Sequence, residues 1–383
     1  MSDPVLPSLE TLNTPTLLLD ETKLDRNVAR LRERLAKLGP QLRPHMKTAK
    51  CLDVARRVMD GPAGPITVST LKEAAMFADA GVRDILYAAG IAPQKLDLVT
   101  AIRRKGVDLS IVVDSVEAAA SVARHARVTN DRLPVLIEID SDGHRAGIRR
   151  AQAELLVEVG RTLQDGADLR GVMTHAGESY HCHGPAELAA MAEQERAEAV
   201  GCATVLREAG LPAPVVSVGS TPTAHSSESL SGITELRAGV FMFFDLFMTG
   251  VGVCTLDDIA LSVLATVTGR NAERGWLIVD AGWMAMSADR GTRAQSVDQF
   301  HGVVCDINGV PYPDLVMLKA NQEHGIIAAR PGSEAVVPDL PIGARLRIMP
   351  NHACATAAQH DHYNVLQTGS QQIGAVWRRF NGW

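Results

Sequence analysis

"QLRPHMKTAK", residues 41–50, decides how the rest of the chain is read. A short apolar run carries Arg43, meets Pro44, and then presents His45 and Lys47, with a second lysine at position 50. Taken alone, Lys47 is as readily a solvated surface lysine as a functional one. The choice depends on whether other apolar runs also end in polar chemistry.

Runs of strand length recur downstream. "PITVSTL" (65–71), "DILYAAG" (84–90), "LSIVVDS" (109–115), "PVLIEID" (134–140), "LRGVMTHAG" (169–177), "PVVSVGS" (214–220) and "ELRAGVFMF" (235–243) follow "QLRPHMK" (41–47). Between them lie amphipathic stretches such as "LDRNVARLRERLAKLG" and "AAMFADAG", whose closing glycines suit helix C-termini. Eight strands alternating with helices predict an α/β chain folded as a (β/α)8, TIM-like barrel. An open doubly wound sheet would alternate similarly, but no G-x-G-x-x-G follows the first run.

From about residue 256 the rhythm changes. "LSVLATVTG", "GWLIVDAGW", "ARLRIMP" and "GAVWRRF" alternate apolar and polar residues between Gly/Pro turns, which predicts a second, β-rich domain. The expected division is a barrel over 20–255 and a β-rich domain built from 1–19, with its run "TPTLLLD", and 256–383.

The 383 residues suffice for two such domains, and 46% hydrophobic with 21% charged residues is ordinary globular composition. A net charge of −6 offers no basic footprint, so no nucleic-acid partner is expected. No apolar run has the length of a membrane span, and "MSDPVLPSLE" lacks the basic and apolar regions of a signal peptide. The six cysteines follow no framework spacing, so reduced thiols in a cytoplasmic protein are expected.

In a barrel of this kind, chemistry gathers where the strands end. Those ends carry Lys47, Ser69–Thr70, Asp114, Asp142, Arg145, His175, Tyr180, the loop Gly219–Ser220–Thr221 and Arg237. A lysine held in a barrel mouth can serve as an amine nucleophile toward a carbonyl cofactor. The small and hydroxyl residues of 219–221 are either a plain turn or a phosphate seat near the seventh strand. Arg145 and Arg237 are either rim salt-bridge partners or cations facing an anion or a ring.

A second cluster is "MPNHACATAAQHDHY" (349–363). His352 and Cys354 stand two apart, and in an extended segment both would point to one face. Imidazole with thiolate suits zinc, although a buried cysteine beside a structural histidine would read the same way. His360 and His362 repeat the spacing and leave the ligand choice open.

"RPHMKTAK", "VSTLKEA", "DSDGHRAG", "THAGESY", "VSVGSTPTA", "RAGVFMFFDL", "VDAGWMAMS", "NQEHG" and "PNHACAT" run in order across nearly the whole chain. Together they resemble the D-threonine aldolase / D-serine dehydratase group of fold-type III pyridoxal-phosphate enzymes, related to alanine racemase. Within the group the likeness is strongest to the dehydratases acting on D-threo-3-hydroxyaspartate. The resemblance implies that Lys47 is the Schiff-base lysine, with Pro44 fixing the turn before it. It also implies Arg145 near the cofactor's phenolic oxygen and Arg237 against its pyridine nitrogen. The phosphate would lie on Gly219, Ser220 and Thr221, with Gly239 and Val240 close by. His175 and Tyr180 fall in a family active-site segment, without assigned roles. His352 and Cys354 match the family's metal pair, for Zn2+ with other divalent cations left open.

The activity implied is a lyase reaction, elimination of water from D-3-hydroxy amino acids. 3-Hydroxy-D-aspartate would give oxaloacetate and ammonia, and D-serine would give pyruvate and ammonia. Aldolase relatives carry H-x-D where this chain carries H-x-C, which favours the dehydratase over a metal-dependent aldolase. A non-catalytic pyridoxal-phosphate carrier is a more distant alternative, since such carriers lack a second domain. The resemblance further implies a homodimer.

Overall fold

The computed structural model describes residues 7–143 and 145–383, so the first six residues of the 1–19 segment lie outside it. The chain divides into two compact units, Met1–Ala29 with Val240–Asn381, and Arg30–Gly239 with Gly382–Trp383. β1 (Thr16–Asp20) belongs to the first unit. The second is built on β2 (Gln41–Leu42), β3 (Ile66–Val68), β4 (Asp84–Gly90), β5 (Asp108–Val113), β6 (Pro134–Ile139), β7 (Asp168–Thr174), β8 (Val215–Val218) and β9 (Glu235–Leu236).

All eight strands of the second unit are parallel, in the order β2-β9-β8-β7-β6-β5-β4-β3. Residues 41–46 supply the closing strand. On one side the N–H groups of Gln41, Arg43 and His45 donate to Thr234 O, Leu236 O and Ala238 O. On the other, Thr67 N–H donates to Pro44 O and Met46 N–H to Thr67 O, both at 2.8 Å, joining the sheet's two ends. Pro44 therefore lies in the seam, and the turn expected there begins at Met46. Its missing N–H is tolerated because pairing with β3 starts from its carbonyl.

Helices follow most strands, and several are started by a local device. Thr70 accepts from Glu73 N at 3.1 Å to cap Leu71–Asp79, and Ser115 accepts from Ala118 N to cap Val116–Thr129. The last strand is shorter than its sequence suggests. "ELRAGVFMF" is regular strand only over Glu235–Leu236, with Arg237 N–H and Ala238 O still bonding the neighbouring strands before a 3-10 turn at Val240–Met242.

Every second strand residue faces the barrel axis. At one end Arg43 bridges Asp84 at 2.6 Å and Glu235 at 2.7 Å. The middle layer is apolar, with Leu86, Val112, Leu136 and Met173 buried against one another. Glu138, Ser217 and Arg237 occupy the next level, at the C-terminal mouth. The barrel is thus a packed core with its chemistry at one end.

The first unit holds a nine-stranded sheet of β1, β10 (Leu261–Asn271), β11 (Trp276–Val279), β12 (Val303–Cys305), β13 (Pro311–Ala320), β14 (Gly325–Ala329), β15 (Arg345–Met349), β16 (His362–Leu366) and β17 (Ala375–Arg378). β10 pairs with both β15 and β11, so β10, β15, β12, β13, β14 and β11 close an antiparallel ring. β1 adds to β10 and brings β16 and β17 with it. Leu9, Leu18, Leu264, Leu366 and Ile373 form a buried cluster beneath this extension.

Gly171 marks a tight approach between neighbouring barrel strands. Its φ is +136°, and a Cβ there would stand 1.9 Å from Val215 O. Gly171→Ala should therefore destabilise the protein by about 3 kcal/mol or more, whereas Gly106→Ala, with open space around it, should cost about 1 kcal/mol. Denaturant melts of the two variants would check the ranking, and equal midpoints would contradict the β7–β8 packing.

Candidate active site

The turn Met46–Lys50 leaves Lys47 exposed just past the closing seam. Its backbone N–H donates to Nδ1 of His45 at 3.4 Å, which fixes His45 as the tautomer protonated on Nε2. Burial, then the charges of Lys47, Arg237 and Arg145, hold His45 well below the usual histidine pKa. Lys50 is committed elsewhere. It pairs at 3.4 Å with the buried Glu73, which also accepts from the hydroxyls of Ser69 and Thr70. The strand-end pair Ser69–Thr70 therefore organises the wall behind Lys50.

At the end of β7, His175 donates from Nδ1 to Gly219 O at 2.9 Å, and its ring centre lies 6.0 Å from that of Tyr180. Burial depresses the His175 pKa to about 3, reinforced by Lys47, Arg145 and Arg237 and opposed by the Gly219 bond. Its Nε2 is thus an acceptor. Arg237 is buried, with its guanidinium donating to Ser217 Oγ and Thr174 O. Burial weakens its protonation, while Glu235, Glu195 and Glu138 support it. Arg145 is half-exposed, 3.8 Å from Glu138, whose pKa burial raises. Asp142 instead accepts from Glu178 N–H at 2.8 Å.

Between these groups runs the loop Gly219–Thr221. Gly219 has φ +142° and lies so close to β9 that a Cβ would stand 1.8 Å from Arg237 O. Ser220 caps the short helix Thr221–Ser226 and shares a 2.8 Å hydrogen bond with Ser179. A Cβ on Gly239 would meet His45 O at 3.0 Å and Thr48 Oγ1 at 3.1 Å, so backbone closely lines this wall. Val240 is buried and opens the following 3-10 turn.

In the other unit, His352 and Cys354 are neighbours, joined by a side-chain hydrogen bond. The expected extended geometry is not what brings them together. His352 is the N-cap of the helix Ala353–Ala357, and Cys354 lies in its first turn. His352 Nδ1 bonds Asp289 Oδ2 at 2.7 Å, and Asp289 is itself held by Gly291 N–H at 2.8 Å. Asp245 accepts from Met248 N–H and Ala353 N–H, fixing the cap. Burial opposes charge on His352, but the bonds to Asp289 and Cys354 carry its pKa up to about 11. His360 bonds Ala285 O at 3.0 Å, and His362 bonds Asp361, so both downstream histidines are engaged apart from this pair. Among the described residues no group of three or more His, Cys, Asp or Glu is arranged to hold a metal.

The chain matches the alanine racemase N-terminal domain over residues 19–246 and a serine dehydratase domain over 260–366. It is 52% identical to D-threo-3-hydroxyaspartate dehydratase of Delftia sp. (strain HT23), over 98% of this chain and 99% of that protein. It is 31% identical to D-serine dehydratase of Dictyostelium discoideum, over 96% of each. Among solved structures, a cysteine-to-alanine mutant of D-threo-3-hydroxyaspartate dehydratase in the metal-free form superposes with TM-score 0.95. That comparison has 50% identity and covers 98% of this chain and 100% of that one. The chain belongs to the alanine racemase-like, fold-type III family of pyridoxal phosphate enzymes.

The barrel mouth fits the cofactor of that family. It offers an exposed lysine, a buried guanidinium, neutral imidazoles and a glycine-lined wall where side chains are excluded. The His352–Cys354 pair fits a zinc-type donor set of nitrogen and sulfur, with Asp289 orienting the imidazole so that Nε2 is the donor. The family motifs do not reveal Asp289, which lies 63 residues from His352 in sequence. They also do not reveal Glu195, a buried carboxylate that accepts from Ala176 N–H and Gly219 N–H at 3.0 Å each.

His175 gives a pH signature. In the unfolded chain it binds a proton near pH ~6.5, but in the folded protein only near about 3. The unfolded state therefore binds more protons in that interval, and stability falls as pH drops through it. His175→Asn should make the slope of unfolding free energy between pH 4 and 6 shallower, by up to about one proton. Urea melts across that range would check it, and an unchanged slope would contradict the half-buried, neutral imidazole.

Proposed function

We propose that this protein is a pyridoxal phosphate- and metal-dependent dehydratase that eliminates water from D-3-hydroxy amino acids. 3-Hydroxy-D-aspartate would yield oxaloacetate and ammonia, and D-serine pyruvate and ammonia. The observation that carries this reading is Lys47 standing exposed at the barrel mouth among Arg237 and two neutral histidines, while Lys50 is committed to Glu73. Two matching domains spanning most of the chain also argue against a bare cofactor carrier.

Lys47 Nζ would hold the cofactor and, once displaced by the substrate amine, take the Cα proton as general base. When bound, the cofactor supplies an electron sink for the pair left at Cα. Arg237 would face the pyridine nitrogen and, charged itself, would keep that nitrogen unprotonated and so limit the sink. Elimination then needs help at the leaving group. His352 and Cys354 would hold a divalent ion, whose Lewis acidity eases departure of the β-hydroxyl. A thiolate in the ligand set favours zinc over magnesium. Gly219, Ser220, Thr221 and the Gly239–Val240 backbone would seat the phosphate, and Arg145 would lie beside the phenolic oxygen. The enamine released rearranges to the imine and hydrolyses to the 2-oxo acid and ammonia.

Two experiments test these assignments. Borohydride reduction followed by peptide mapping should place the cofactor on Lys47, with no label in Lys47→Ala and full label in Lys50→Ala. Label on Lys50 in the Lys47→Ala protein would overturn the assignment. Chelation should abolish turnover while leaving the cofactor's visible absorption in place, and zinc should restore activity better than magnesium. Full activity in protein shown by elemental analysis to contain no metal would make His352 and Cys354 a structural pair.

A further inference from the structure

The helix Pro185–Glu208 packs on the barrel through a stripe of buried residues, Leu188, Ala192, Glu195, Ala199, Cys202 and Leu206. Their spacing alternates between four and three, as on any core-facing helix side. Glu195 is the exception in kind, a carboxylate at a core position and 2% exposed. Such burial is costly unless the carboxylate is fully engaged.

Its partners explain its place. One oxygen, Oε1, accepts from Ala176 N–H and from Gly219 N–H, both at 3.0 Å. These amides lie just beyond the ends of β7 and β8, whose ladder pairs only residues 171–173 with 215–217. Glu195 thus continues the connection where the strands stop bonding each other. Thr223 adds a side-chain hydrogen bond to the same carboxylate.

The bonds form a circuit. Ser179 donates its hydroxyl proton to Ala176 O at 2.7 Å, so Ser220 must be the donor in the 2.8 Å bond between the two serines. Gly219 is pinned at both ends, its N–H on Glu195 and its carbonyl on His175. With that N–H occupied, Gly219 contributes close backbone approach rather than a donor. The geometry of loop 219–221 is therefore set from outside the barrel, through a residue on its helical layer.

We infer that Glu195 is a positioning residue for the cofactor's phosphate, locking the Gly219–Thr221 loop and the His175 segment into one register. The inference rests on the reading of residues 219–221 as the phosphate seat. It predicts a loss confined to the part of cofactor affinity that the phosphate provides.

The test titrates full-length apoprotein with pyridoxal phosphate and with pyridoxal, which lacks the phosphate, and compares the two dissociation constants. Glu195→Ala should weaken pyridoxal phosphate binding about tenfold or more while changing pyridoxal binding little. Glu195→Gln keeps an acceptor at Oε1 and should stay within about threefold of the parent protein. Glu195→Asp, one methylene shorter, should fall between them, and it decides the matter if Glu195→Ala does not fold. An unchanged ratio of the two constants in a folded Glu195→Ala or Glu195→Asp protein would overturn the inference. Ser220→Ala with Thr221→Val separates the two ideas. If that double variant weakens pyridoxal phosphate binding relative to pyridoxal and the Glu195 variants do not, the seat stands and the positioning role falls. If the double variant leaves the ratio unchanged, the seat itself is wrong.

Discussion

Two backbone hydrogen bonds between Thr67 and the segment Pro44–Met46 close the parallel sheet into a ring. Lys47 is the first exposed residue past that closure, so the seam that completes the fold also sets where its amine stands. The arrangement leaves little freedom. His45 is tied by its backbone to Ala238, its ring accepts from Lys47 N–H, and Gly239 packs against its carbonyl. A rigid barrel strand on either side therefore holds the lysine's backbone, while its side chain remains open to the mouth.

Electrostatics at the mouth follow from the same closure. Desolvation, reinforced by the charges of Lys47, Arg145 and Arg237, keeps the half-buried His45 and His175 imidazoles neutral. Neutral histidines can accept and donate hydrogen bonds without adding to the positive charge. Glu138, Glu195 and Glu235 offset Arg237 from below and behind, so the buried guanidinium is not left uncompensated. The net result is a cationic opening over a neutralised core, suited to a phosphate-bearing cofactor and a substrate with carboxylates.

The eight barrel strands were legible because each is a short apolar run between helices with clear stop signals. The β-rich unit was only partly so. β10, β11, β15 and β17 alternate visibly, but β13 opens "PYPD", where two prolines argue against a paired strand, β12 is too short to show a period, and β16 is buried on both faces. The His352–Cys354 pairing was anticipated from an extended segment, yet a helix N-cap places the two side chains together. Glu195 was hidden by its setting. In "MAEQERAEAV" acidic residues read as solvent-facing, and only the spacing to Leu188, Ala192 and Ala199 betrays a core position. Asp289 carried no local signal, because the contact that defines it spans 63 residues of sequence.

What separates this reading from its aldolase neighbour is which bond to Cα breaks. Lys47, as a base standing on the hydrogen's side, would favour loss of C–H over C–C. The most direct measurement is product analysis by NMR of holoenzyme, supplied with zinc, turning over 3-hydroxy-D-aspartate. The account predicts oxaloacetate and ammonia, with a primary isotope effect from substrate deuterated at Cα if proton removal limits the rate. Glycine and glyoxylate as the main products would contradict it.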